Sequence, residues 1–195
     1  MTRIEGLARR MGMLAALALA PTLATACGKA EPAAPITPRR MADALYATLA
    51  ANRAVYAREV VGRLQDEESV IKASEHFRDD KALPLPAQMF RMGAEAARQA
   101  EPGVTSALLS SWPINKQNIA RTEAEKAGLE RVAETGKAYY AEETLGGERY
   151  FTAVYADRAV TEACVSCHNA HRDSPRRDFK VGDAMGGVVI RIALK

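Results

Sequence analysis

The chain has 195 residues, of which 48% are hydrophobic and 26% charged. That balance excludes an intrinsically disordered protein, and the length suits one compact domain with room for a tail. A net charge of +3 is too small for a nucleic-acid binder, which carries a concentrated basic face with stacking aromatics. Three cysteines allow at most one bridge, so a disulfide-stapled scaffold is excluded too.

Residues 1–26 read as an export signal. Arg3, Arg9 and Arg10 form a basic start, and Met11 to Ala26 carries no charge. The uncharged stretch is shorter than the roughly 20 residues that span a bilayer, and Pro21 interrupts it. Cys27 follows Leu23-Ala24-Thr25-Ala26, the setting of a bacterial lipoprotein signal, in which Cys27 is lipidated and becomes the mature N-terminus. Residues 27–38, with Pro32, Pro35 and Pro38 among alanines, read as a flexible tether. The expected location is therefore the periplasm, with the membrane reached through a lipid anchor. The signal holds three of the 27 basic side chains and one of the 24 acidic ones, which leaves a net charge of +1 on the rest.

Thr37-Pro38 has the form of a helix start, Thr at the cap and Pro at the first helical position. Met41, Leu45, Leu49, Tyr56, Val60 and Leu64 then recur at helical spacing, which predicts a long amphipathic helix to about Gln65. Pro84 and Pro86 exclude a helix across the segment before them. Further helices are expected over Ala87 to Ala100, briefly over Val104 to Ser110, and from about Ile119 to Glu142, with a loop at Ser111 to Asn115. Gly146-Gly147 predicts a turn, and Arg149 to Tyr155 and Val188 to Ala193 read as strands. The expected class is α+β, helices first and an antiparallel sheet near the C-terminus.

Cys164-Val165-Ser166-Cys167-His168 is a C-x-x-C-H sequence, the attachment signature of a c-type haem. Two thiols at this spacing reach the two vinyl groups of the porphyrin, and the adjacent His168 becomes the proximal iron ligand. A zinc site built from the two cysteines with His168 and His171 is cramped, because His168 directly follows Cys167. A thioredoxin-like pair would open a helix early in a βαβ unit, and no such unit follows. A plain disulfide is the remaining rival. The expected cofactor is one covalent haem c.

Cys164-Val-Ser-Cys-His168-Asn169, Ser174-Pro175 and Asp178-Phe179-Lys180-Val-Gly182-Asp183-Ala-Met-Gly186-Gly187 together resemble the C-terminal signature of a bacterial periplasmic c-type haem family of unassigned function. Asn52-Arg53-x-x-Tyr56, Leu83-Pro84-Leu85-Pro86-Ala87 and Trp112-Pro113-Ile114-Asn115 fit the same family. The resemblance covers about residues 40–194. It implies a PAS-like fold for residues 39–195, with an antiparallel sheet flanked by a long N-terminal helix and one covalent haem. Family members stand alone in the periplasm or serve as sensor modules of signalling receptors, so redox or gas sensing is the implied role.

For the sixth iron ligand the sequence offers His76 first, with Met89, Met92, Tyr56 and His171 behind it. Arg172, Arg176, Arg177 and Lys180 follow the motif, and the three arginines are candidates for the haem propionates, which guanidinium groups bind bidentately. No catalytic constellation of side chains stands out, so an enzyme is not expected. The functional expectation is a mono-haem cytochrome acting as a redox or ligand sensor or in electron transfer, through a redox partner or a separate signalling protein. The alternatives are a peroxidase with an open iron site and a cytochrome c′-like gas binder.

Overall fold

The structure is a computed structural model that describes residues 35–194. The expected export signal, Cys27 and the part of the expected tether before residue 35 lie outside the described residues. Thr37 and Pro38 start the first helix as their side chains dictate: the Thr37 hydroxyl accepts from the Arg40 N–H at 3.2 Å, and Pro38 takes a position whose N–H would have no partner. Helix α1 (Pro38–Val55) passes without a break into a π-helical stretch, Tyr56–Glu67. The apolar periodicity reports the single long helix but not this widening.

A two-residue parallel pairing of β1 (Ala73–Ser74) with β2 (Leu83–Pro84) follows, then helix α2 (Pro86–Ala100) and strand β3 (Val104–Leu109). Helix α3 (Glu123–Thr135), strands β4 (Tyr139–Leu145) and β5 (Glu148–Arg158), helix α4 (Glu162–Ala170) and strand β6 (Ala184–Leu194) complete the order. The main sheet is antiparallel, in the order β3-β6-β5-β4. Gly146 and Gly147 close the β4–β5 hairpin with φ of 60° and 87°, a two-residue turn that residues with a Cβ adopt only under strain.

Two expectations are corrected. Val104 to Ser110 is not helical: residues 104–109 pair one by one with β6, from Val104↔Ile192 to Leu109↔Gly187. The helix expected over 119–142 is α3 alone. Thr122 and Glu125 form its capping box, and Gly136 ends it at φ 65°. Tyr139 onward is strand because Tyr139↔Val154 begins a full ladder with β5.

The class is α+β, with helices on both faces of the sheet. Ala153, Tyr155, Val188 and Ile190 face α1 and α2 and pack with Ala42, Phe90 and Ala94. The alternate residues Val154, Ala156 and Val189 face α3 and pack with Leu129 and Val132. This period of two makes β5 and β6 apolar on both sides, as central strands covered twice must be. Val165 of α4 and Phe179 of the loop after it form a third cluster with Ala159 and with Met185 of β6, and Trp112 and Cys164 pack against it.

Candidate functional site

Helix α4 holds Cys164, Cys167 and His168 at i, i+3 and i+4, which places the three side chains on one helical face. That face borders a cavity of about 900 Å³, at the upper end of the range for cofactor and ligand pockets. Further walls come from the first helix and α2. Arg53, Ala57, Val61 and Gln65, spaced four apart across the change from α to π, line it along one side. π-helical turns are rare and concentrate at functional sites, and this one forms part of the wall.

Arg53 is ion-paired with Asp157, and both side chains are largely buried, 12% and 18% exposed. Burial pushes the Arg53 guanidinium below its ordinary pKa, although the Cys164 thiol nearby works the other way. Asp157 adjoins the register shift between Asp157 and Arg158 in the β5–β6 ladder, and a bulge of this kind re-aims side chains beside a site. Met185, at the start of β6, is 7% exposed and reaches the cavity wall next to Cys164.

His168 is held by its neighbours without being consumed by them. Phe179 meets its ring edge-to-face at 6.0 Å, and Asn169 fixes Phe179 by two bonds: its amide donates to the Phe179 carbonyl at 2.9 Å and its Oδ1 accepts the Phe179 N–H at 3.0 Å. The His168 Nδ1 is buried and has no hydrogen-bond partner. An unpartnered buried polar atom costs about 1–3 kcal/mol. Burial, and then the charges of His171 and Arg53, lower the His168 pKa, so the ring is neutral at pH 7, the form that binds metals.

His171 also borders the cavity but is fully engaged. Its Nδ1 accepts the Asp173 N–H at 3.1 Å, and its Nε2 donates to Glu75 Oε1 at 2.9 Å. His76 is exposed and borders the cavity from the turn after β1. Met89, Met92 and Tyr56 do not line it; the Tyr56 hydroxyl donates to the Pro84 carbonyl at 2.8 Å.

The cations after the motif are not brought to the cavity either. Arg172 is 90% exposed beside Asp173. Arg177 donates to the carbonyls of Asn169 and Arg172. Arg176 stacks over Trp112 and Phe179, at 4.8 and 4.4 Å, and pairs with Asp178 and Asp183. Arg176 thus fastens the loop that supports His168. The arginines that do line the cavity are Arg53, Arg91, Arg98, Arg121 and Arg158. Sequence reasoning assigned these no role, because they come from four separate segments that only the tertiary fold brings to one space.

The model of the Tll0287-like family (Tll0287) matches residues 35–193. Among solved structures, the chain resembles the crystal structure of the cyanobacterial heme-protein Tll0287, with a TM-score of 0.53 and 16% identity, over 82% of this chain and 98% of that one. At that identity the likeness is one of fold. No curated protein matches the chain. With the family's pattern running through the whole described fold, the chain belongs to the Tll0287-like family.

Proposed function

We propose that the protein is an exported mono-haem c-type cytochrome, built on a PAS-like sheet-and-helix module and held at the membrane by a lipid on Cys27. The observation that carries this reading is the convergence of Cys164, Cys167 and His168 on one cavity, with the buried His168 Nδ1 left unpartnered while both ring nitrogens of His171 are taken. The residues fit the group: two thiols at the haem-attachment spacing, a neutral imidazole and a space of cofactor size. The heme-protein named among the structures of similar fold supports the same cofactor.

Cys164 and Cys167 would hold the haem through two thioether bonds, each S–H adding across a vinyl group with no oxidant consumed. His168, kept neutral by burial and steadied by Phe179, would ligate the haem iron. The bound haem supplies a one-electron couple and, where a coordination position is open, a site for a diatomic ligand. Beyond the motif and His171, the lining side chains with the imidazole or thioether donors that ligate haem iron are His76 and Met185. The role is redox or ligand sensing or electron transfer through a separate protein. Intact-mass measurement under denaturing conditions tests it. Wild type should carry the mass of one haem and the C164A/C167A variant none; a haem-free wild type matured in a haem-attaching host would overturn it.

A further inference from the structure

Resting on the haem reading, we infer that the two propionate carboxylates are received by Arg91 and Arg98 of α2, not by the arginines that follow the C-x-x-C-H motif. In a porphyrin the vinyl-bearing and propionate-bearing edges are opposite. Thioethers to Cys164 and Cys167 fix the vinyl edge at α4, so the carboxylates must project away from α4. Arg172, Arg176 and Arg177 belong to the loop leaving α4 and lie outside the cavity, with partners of their own.

Helix α2 starts at the α4 end of the cavity. Its first turn is moored there: the Gln88 amide donates to the Glu75 carbonyl at 2.7 Å, and Glu75 accepts from His171 at 2.9 Å. Arg91 and Arg98 follow three and ten residues later, about 4.5 and 15 Å along the axis at 1.5 Å per residue. Two turns apart, they share the stripe of α2 that lines the cavity, with Ala87, Ala94 and Glu95. Their charge is available. Arg98 takes part in none of the ion pairs among the described residues, and Arg91 meets only Glu95, at 3.6 Å between side chains that are both 58% exposed. Such a pair contributes little and yields to a bidentate carboxylate.

The other cavity arginines are committed or lie at the wrong end. Arg53 pairs with Asp157, and Arg158 donates to the Gly182 carbonyl at 2.8 Å. The segment before Arg121 is tied through Asn118 and Ser110 to Met185, a member of the cluster that Val165 of α4 belongs to and Cys164 packs against. Two carboxylates therefore meet two arginines on one helical face.

The test compares the full-length, haem-loaded wild type with R91Q/R98Q, R98Q alone and R172Q/R177Q. Each is read by pyridine haemochrome, resonance Raman of the propionate bending band, and reduction potential. The expected result is a c-type haemochrome throughout, with a shifted propionate band and a lower potential in R91Q/R98Q, because losing positive charge favours the ferric state. R98Q, an exposed substitution without a protein partner to lose, should show the same change to a smaller extent. R172Q/R177Q should match wild type. An unmoved band and potential in R91Q/R98Q and R98Q, or the shift appearing in R172Q/R177Q instead, overturns the arginine assignment alone. A wild type lacking the c-type haemochrome overturns the haem reading and this assignment with it.

Discussion

The Nε2–H of His171 donates to the Oε1 of Glu75 at 2.9 Å across 96 residues of sequence, and so ties the turn after β1 to the end of the helix that bears the C-x-x-C-H motif. Burial, and next the Glu75 carboxylate, hold the Cys167 thiol above its ordinary pKa. Glu75→Ala should cost less than about 1 kcal/mol, since the carboxylate is half exposed. Its larger effect is on chemistry: in haem-free protein Cys167 should alkylate several-fold faster at neutral pH, with Cys164 as the internal reference. Iodoacetamide labelling followed by peptide mass analysis measures both. An unchanged ratio of the two rates would show that Glu75 does not control the thiol.

Asn169 lies directly after the motif histidine, and both ends of its amide bind the Phe179 backbone. Replacing it with Ala leaves a half-buried N–H and carbonyl without partners, at a cost of about 1–3 kcal/mol. Arg172→Ala, at a side chain 90% exposed, should stay within about 0.5 kcal/mol of wild type. Urea unfolding of the two variants side by side checks the contrast.

Gly186 borders the cavity at the start of β6, and a Cβ there would collide with the carbonyl oxygen of Leu109 in β3. Backbone cannot swing aside as a side chain can. Gly186→Ala should therefore destabilise by about 1–3 kcal/mol, as overpacking does, and should loosen the β3–β6 edge beside the site. Hydrogen exchange at Leu109 and Ser110 should rise in the variant and stay at the wild-type rate in the far hairpin, at Thr144.

Glu143, Thr152 and Arg191 form a polar cluster on three adjacent strands, extended by Arg191 to Glu125 at 2.7 Å. Burial opposes the Glu143 charge, but hydrogen bonds from Thr152, Thr122 and Arg191, and the Arg191 charge, outweigh it and hold the carboxyl below its usual pKa. The unfolded chain therefore takes up a proton first as pH falls. The stability from this group is complete above about 4.5, the ordinary glutamate range, and is lost as pH drops toward the lower folded value. Glu143→Gln should be less stable at pH 7 and should show a flatter decline below about pH 4.5 in thermal melts. Parallel acid limbs in the two proteins would contradict this.

How far the sequence carries the fold depends on how local the cause is. Thr37-Pro38 starts α1, Gly146-Gly147 turns the hairpin, and the aromatic run Arg149 to Tyr155 is strand, because each is decided by the residues themselves. Strand β3 was not legible. Val104-Thr-Ser-Ala-Leu-Leu has little preference of its own, and its extended form comes from a ladder to distant residues, from Val104↔Ile192 to Leu109↔Gly187. Tyr139 to Glu142 reads as helix for a related reason: its Ala and Glu continue the composition of α3, and the Gly136 that ends the helix is the one local sign. At the site, the spacing of Cys164, Cys167 and His168 was plain, whereas the Arg53–Asp157 pair and the arginine stripe of α2 depend on packing between distant elements.

The central claim is that Cys164 and Cys167 hold a haem covalently, and the pyridine haemochrome of the protein after acid-acetone extraction tests it most directly. Colour should stay with the wild-type protein, and its reduced spectrum should be of the c type. It should be displaced toward the single-thioether position in C164A and in C167A, and be absent from C164A/C167A. A wild-type protein that yields its colour to the solvent and gives a spectrum of unmodified haem would contradict it.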